Sequence, residues 1–370
     1  MANRVLGLIN CFNTPELGPL TRRRTIASTT FLGRYSFVDF PLSCFTNSGV
    51  NSIGLLCQKH IRSLSEHVGN GQYWLNNTKI GDFQVLYDEE HSKKPPYNTD
   101  INCIVENTKF IKKAEPDYVI ITNPYIIFNV DYKELLRRHI ESRSRITLLY
   151  SHCKELKESF IDQYKITVSE RGKVTKFSLN KGNNNEGDVS LNTYIMDYEM
   201  FENIIEYTQG TSSLFNIQDT LNYLSPSVLI RGEKISGYVR CIDSLKHYLQ
   251  YSTELLEYDV YHSLMGDTKF YTSTYDTVPA FYTSSASVKN SFIANGCIIK
   301  GKVVNSILGR AVHVGKNTVI KNSIISSYAK IDDDATIENA IIDKEANVTH
   351  IKEVKGSKDN PIYIERGDII

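Results

Sequence analysis

Scarcities bound this 370-residue sequence first. Neither sign of charge is in excess, with 42 Lys+Arg against 42 Asp+Glu. That excludes a protein held to nucleic acid or a membrane surface by global charge, while leaving room for a local basic cluster. No CxxC pair occurs among the seven cysteines, Cys11, Cys44, Cys57, Cys103, Cys153, Cys241 and Cys297. An odd, scattered set excludes a disulfide framework and a zinc ribbon. It reads as small buried apolar residues in a reduced, cytoplasmic chain. No apolar run is long enough to span a bilayer, and the opening MANRVLGLINCF is broken by Asn10, so no signal peptide is expected. Tryptophan is nearly absent: Trp74 stands alone against 23 tyrosines.

What is present is ordinary globular composition, 41% hydrophobic and 23% charged, in a chain long enough for two or three domains. Strand-like apolar runs recur at Arg4–Ile9, Ser52–Cys57, Asp117–Thr122, Arg145–Ser151 and Leu191–Asp197. Helical patterns fall between or after them, at Asp131–Ser142 and Tyr198–Thr208. Such alternation predicts a mostly parallel sheet covered by helices. Tyr164–Ser169 and Lys173–Ser178, joined by Glu170-Arg171-Gly172, read as a hairpin beside it. The spacing predicts one long helix over Asp243–Tyr258. The expected division is a domain over 1–258, a connector over 259–287 whose Gly266–Ser287 stretch is rich in Thr, Ser and Tyr, and a last domain over 288–370.

That last domain is a repeat. "NSFI" at 290, "NSIL" at 305, "NSII" at 322 and "NAII" at 339 are one phrase, the last three spaced by 17. Apolar residues fall about six apart: Leu308, Val314, Ile320, then Ile325, Ile331, Ile337, then Ile342, Val348. A period near six, three to a unit, predicts a parallel β-helix of triangular section.

Residues 32–58, "LGRYSFVDFPLSCFTNSGVNSIGLLCQ", with "LGPLTRRR" before and "EHVGNGQYW" after, resemble bacterial glucose-1-phosphate adenylyltransferase. The resemblance continues through "DYVIITNPYIIFNVDY", "SLNTYIMDYEMF" and "GYVRCIDSLKHYL" into the repeats, and so covers nearly the whole chain. It implies a Rossmann-like nucleotide-sugar transferase domain, a C-terminal left-handed β-helix and a tetramer.

The residues such an enzyme uses are what this chain lacks. The family has a Gly-rich triphosphate loop with an arginine before a Leu-Gly pair. Here it reads Asn10-Cys11-Phe12-Asn13-Thr14-Pro15-Glu16, and Glu16 takes the arginine's position. A family Lys-Pro step falls on Ile26-Ala27. The Mg²⁺-holding aspartates fall on Tyr125 and Cys241, and a hard dication wants anionic oxygen. A Glu-Glu-Lys-Pro sugar-phosphate motif reads Ser178-Leu179-Asn180-Lys181, with Lys181 shifted by one. Ser190 is kept, while its glycine partner is Asn192. Lys181 and Ser190 are therefore vestigial substrate positions, no residue is assigned a catalytic role and no metal site is expected. Mg²⁺ is expected only in a catalytic partner. Tyr125 either fills the vacated metal site or stacks on a base.

A fold kept while its chemistry is removed points to a regulatory, GlgD-type second subunit of this family, acting in a hetero-oligomer with a catalytic subunit. A weakly active adenylyltransferase is the alternative. A hexapeptide acyltransferase, suggested by the repeats alone, has only His313 as a histidine candidate. Arg22-Arg23-Arg24 reads either as solvated charge or as an anion-effector cluster. The resemblance implies the second for Arg23 and Arg24, with Arg310 and His313 near matching basic positions, although two further basic positions read Thr30 and Ser36. Asp39 is expected as a structural acceptor and Asp131 as a helix start. Trp74 is either a loop anchor or part of signalling between sites.

Overall fold

The computed structural model describes residues 3–75, 81–88, 99–212 and 215–370. They form two compact units, one made of 1–14, 38–241 and 268–271, the other of 15–37, 242–267 and 272–370.

The first unit is built on a sheet that has nine strands among the described residues. They are β1 (Val5–Asn10), β2 (Ser52–Leu56), β3 (Asp82–Leu86), β4 (Tyr118–Thr122), β5 (Ile146–Cys153), β6 (Tyr164–Val168), β7 (Val174–Leu179), β8 (Gly187–Asp197) and β9 (Ile230–Lys234). The order is β7-β6-β8-β4-β1-β2-β3, with β5 also on β8 and β9 on β5. The centre, β4-β1-β2-β3, is parallel, as its near-continuous apolar runs require once helices cover both faces. Strand β8 runs antiparallel to both β4 and β5, and β6–β7 is the predicted hairpin, turned at Gly172 with φ +78°. Gly7 lets the sheet take a helix at close range: a Cβ there would meet the Phe45 ring of the Asp39–Asn47 helix at 2.7 Å. Asp131 starts the Tyr132–Ser142 helix, its carboxylate accepting the Lys133 N–H at 2.9 Å. The core beneath joins Leu6, Leu8, Val119, Ile121, Ile146, Leu148 and Met196 to helix residues such as Phe201 and Leu221.

In the second unit the predicted single helix is two. One spans Leu245–Glu254, capped by Ser244, whose hydroxyl accepts the His247 N–H, and the other spans Tyr258–Met265. Asp243 lies outside the first helix and pairs with His247. The periodicity runs through the break, but Leu255 closes the first helix and Glu257 opens the second with extended backbone.

The repeats form a left-handed parallel β-helix whose three sheets each carry five strands. Every apolar position of the six-residue period, Leu308 through Val348, points into one core with Cys297, Ile299, Val303 and Val354. The repeated Asn-Ser phrase has a physical reason. Asn290, Asn305, Asn322 and Asn339 turn the corner with φ of 46–48°, the left-handed region that asparagine tolerates. The following serine accepts a backbone N–H from the next coil: Ser306 N to Ser291 Oγ at 3.1 Å, Ser323 N to Ser306 Oγ at 3.2 Å, Ala340 N to Ser323 Oγ at 3.1 Å. At Gly315 the coils lie so close that a Cβ would sit 2.5 Å from the Asp333 nitrogen.

Candidate functional site

Ligands of open α/β sheets gather beyond the carboxyl ends of the strands. In the first unit that place is lined by Asn10 and Phe12 after β1, by Asn123 and Tyr125 after β4, and by Asn192 and Asp100. About 20 Å³ of room is left there, enough for roughly one water.

Around Tyr125, neutral side chains satisfy one another. Asn123 shapes the turn after β4: its Oδ1 accepts the Tyr125 and Ile126 N–H groups at 3.2 and 2.9 Å, and its Nδ2 donates to the Leu191 carbonyl at 2.7 Å. The turn drives Tyr125 inward. Its hydroxyl donates to Gln163 Oε1 at 2.9 Å and accepts from Asn192 Nδ2 at 2.8 Å, and the same Nδ2 donates to Gln163 Oε1 at 2.9 Å. All three residues are buried. Asn192 is held with φ 48°, at a bulge in β8. This is backbone that suits glycine and that asparagine tolerates, which explains how one replaces the other. Ser190 is buried beneath it, its hydroxyl accepting the Asn192 N–H at 3.0 Å, so it holds the asparagine in place.

The two positions that the family resemblance assigns to metal ligands come together. Arg240–Cys241 pairs antiparallel with Ile126–Ile127, with Cys241 opposite Ile126, beside Tyr125. Burial, and then the neighbouring Cys241, push the Tyr125 hydroxyl above its ordinary pKa, so it stays a neutral phenol. A phenol and a buried thiol do not fit a hard dication. Among the described residues no group of three or more His, Cys, Asp or Glu could hold a metal. Tyr125 is buried at the position that the family resemblance gives to a metal ligand.

One carboxylate at this cleft escaped sequence reasoning, because it starts a helix after residues of no evident pattern. Asp100 is buried, and takes the Asn10 Nδ2 at 2.7 Å, its neighbour Ile101 N–H at 2.8 Å and the Ile217 N–H at 3.2 Å. Burial raises its pKa to about 6 despite these three donors. With its lone pairs directed at protein donors, it ties β1 to two helix starts.

Lys181 is exposed and ion-paired with Asp162. Trp74 is fully buried, donating its indole N–H to the Tyr271 carbonyl at 3.3 Å and accepting the Thr46 hydroxyl at its own carbonyl at 2.6 Å, which is a packed anchor. Asp39 is fully buried against His67 at 2.6 Å. The seven thiols are free and six are buried; burial raises Cys57 to about 12, the opposite of an activated nucleophile.

Glu16 and Ile26 belong to the second unit, the first exposed and the second buried in a short turn. There the three arginines have different fates. Arg24 is buried in an ion pair with Asp343, which also accepts the Tyr363 hydroxyl at 2.7 Å. Arg22 reaches Glu365 at 2.8 Å on the surface, and Arg23 is exposed. Lys344 and Arg366, which the sequence reading missed, join Arg24: burial and then the repulsion of these guanidinium groups lower the Lys344 pKa. Arg310 instead donates to the Ser273 carbonyl at 3.0 Å and lies over the Tyr275 ring, while His313 is exposed on its strand.

Comparison with known proteins agrees with this architecture. Residues 15–228 match the nucleotidyl transferase family, and residues 277–359 the GlmU-like C-terminal hexapeptide family. The glycogen biosynthesis protein GlgD of Bacillus subtilis (strain 168) is 27% identical over 368 residues, 99% of this chain and 96% of the relative. Glucose-1-phosphate adenylyltransferases of Clostridium perfringens (strain 13 / Type A) and Clostridium botulinum (strain Alaska E43 / Type E3) are 28% and 31% identical, covering 86% and 84% of this chain and 81% of each relative. The chain thus belongs to the glucose-1-phosphate adenylyltransferase family of nucleotidyl transferases.

Proposed function

We propose that this chain is a regulatory, non-catalytic subunit of glucose-1-phosphate adenylyltransferase. It assembles with a catalytic homologue in the cytoplasm and raises that subunit's output of ADP-glucose from ATP and glucose 1-phosphate. The observation that carries the reading is the closed Tyr125–Gln163–Asn192 set, packed beside Cys241 where an active site would need anionic oxygen. Adenylyl transfer works by positioning and by neutralising phosphate charge. The neutral Tyr125–Gln163–Asn192 set does neither, and the cleft's one described carboxylate, Asp100, is engaged by protein donors, so Mg²⁺ and both substrates are assigned to the catalytic partner.

Regulation then acts through assembly. The chain keeps its sheet and five-rung β-helix, the surfaces a related subunit would pair with in a mixed tetramer. Preference for the competent conformation of the partner by about 1–3 kcal/mol would change activity about 5- to 150-fold. Arg22, Arg23 and Arg24, with Arg310 and His313, are the proposed anion-effector positions. The buried pairing of Arg24 leaves Arg23 as the best placed to meet a ligand.

The test is to co-express the chain with a catalytic homologue and measure mass and synthesis rate together. A mixed tetramer with a raised rate is expected; separate elution with an unchanged rate at every ratio would overturn the reading.

A further inference from the structure

The second unit contains a cavity that the proposed function does not use. It holds about 220 Å³, and its walls are Leu32, Tyr35, Tyr261, Phe292, Ile293 and Ala294. The Tyr261 and Phe292 rings meet with centroids 5.7 Å apart and 53° between planes. Phe292–Ile293 is the first strand of one sheet of the β-helix. Neither the Arg22–Arg24 cluster nor Arg310 or His313 lines this space. An apolar cavity of about 150 Å³ is enough to hold benzene, so the room here suits one ring with a small substituent.

One charge decides the substituent. Arg34 is the charged residue of the lining, and among the described residues its guanidinium has no hydrogen bond or ion pair. It lies over the Tyr35 ring, 5.1 Å from the centroid. The backbone fixes it there. Thr30 pairs with Ser36 and Phe31 with Tyr35, so Leu32-Gly33-Arg34 is a three-residue hairpin tip. Gly33, at φ +76°, sits so close to the β-helix that a Cβ would lie 2.8 Å from the Leu308 carbonyl oxygen. Leu32 is buried with φ 51°, a conformation that a bulky side chain keeps only where its surroundings enforce it. The Arg34 carbonyl accepts the Thr272 hydroxyl at 3.4 Å. Glu257 and Asp259, at the start of the helix that carries Tyr261, are exposed and do not line the cavity.

A single guanidinium above apolar walls selects among ligands. A neutral ring would cover Arg34 and leave its donors without a partner, whereas a carboxylate meets them in a bidentate contact. A phosphate monoester, with nearly two charges, would find one cation in place of several. We infer that this cavity binds a small monocarboxylic acid with an apolar, ring-sized body. The carboxylate meets Arg34, and the body lies between Tyr261, Phe292 and Ile293. This site rests on the cavity itself and does not depend on the regulatory reading.

The experiment is a ligand-observed NMR titration of the full chain. The probes are benzoate, its neutral isostere benzamide, and inorganic phosphate as a competing anion. Benzoate should bind saturably, and benzamide at least about tenfold more weakly, because the charge-assisted contact is lost. Phosphate should not displace benzoate. Arg34→Ala, at an exposed residue, should lose at least about tenfold in benzoate affinity, while Arg34→Lys keeps part of it. Ala294→Phe, which fills the cavity, should abolish binding; should it unfold by circular dichroism, Arg34→Ala carries the comparison. No saturable binding by wild type, equal affinity in Arg34→Ala, benzamide bound as tightly as benzoate, or displacement by phosphate would each overturn the inference. Loss of benzoate binding in Arg23→Ala would overturn it too, by placing the ligand at the arginine cluster. Benzoate binding by a chain that fails to activate a catalytic homologue would uphold this site and defeat only the regulatory reading.

Discussion

Tyr125→Asp restores the residue type that an active family member would carry, and it should damage the protein without restoring chemistry. The Tyr125 ring is 3% exposed, and its hydroxyl both donates to Gln163 and accepts from Asn192. Tyr125→Phe is the milder reference: it leaves one Asn192 N–H short of a buried acceptor, at a cost of about 1–3 kcal/mol. Tyr125→Asp adds the loss of the ring, about 3–5 kcal/mol on the scale of large aromatic truncations, and puts a carboxylate beside a buried thiol. Trp74, the sole tryptophan, lies buried in the same unit, so its fluorescence during urea unfolding follows the unit concerned. The order of stability should be wild type, then Phe, then Asp, and Tyr125→Asp should make no detectable ADP-glucose with Mg²⁺. A Phe variant as stable as wild type would refute the claim that the hydroxyl is part of a closed set. Mg²⁺-dependent synthesis by the Asp variant would refute the claim that the loss of chemistry is complete, because catalytic groups that act as a unit are not restored one at a time.

Other outcomes follow from the same physics. Arg24→Ala should destabilise the second unit by about 3–5 kcal/mol in thermal unfolding, by stranding buried Asp343, whereas Arg22→Ala, breaking an exposed pair, should cost at most about 1 kcal/mol. Arg23→Ala should leave stability unchanged and alter only the response of the mixed enzyme to an anionic effector, read as its activation curve. Ile320→Ala, in the β-helix core, should cost about 2–5 kcal/mol by calorimetry. Asp100 has a folded pKa of about 6, above its unfolded value, so the folded state binds its proton more tightly. Its contribution is fully present below the unfolded pKa, near 4, and is lost as pH rises through about 6, by about 3 kcal/mol in all. Asp100→Asn should flatten that part of the stability–pH curve relative to wild type; equal slopes would show that the carboxylate is not buried as described.

Much of this was legible in the sequence because it is written in periodicity. The six-residue repeat names the residues inside the coil, and unbroken apolar runs mark β1, β2 and β4 as buried parallel strands. Single positions, Tyr125 and Cys241, carry the proposed loss of chemistry, since a side chain's charge is readable without a fold. What could not be read was what fills the space. Gln163, 38 residues from Tyr125, enters only through the β6–β7 hairpin, and Asn123 shows its role only once its turn is closed. The break between the Leu245–Glu254 and Tyr258–Met265 helices left the apolar pattern intact and so was invisible. Lys344 and Arg366 lie far from Arg24 in sequence, and only the closure of the last coils joins them.

Pyrophosphate exchange by the purified chain alone tests the central claim most directly. Losing one electrostatic stabiliser costs about 10²–10³ in rate, and here the two positions that the family resemblance assigns to metal ligands carry a phenol and a thiol, Tyr125 and Cys241. The account predicts exchange at the no-enzyme background, with ATP, glucose 1-phosphate and Mg²⁺ all saturating, while the same preparation raises the rate of a catalytic homologue on mixing. Exchange by the chain alone at a rate near that of an active family member, with contaminating enzyme excluded, would contradict it.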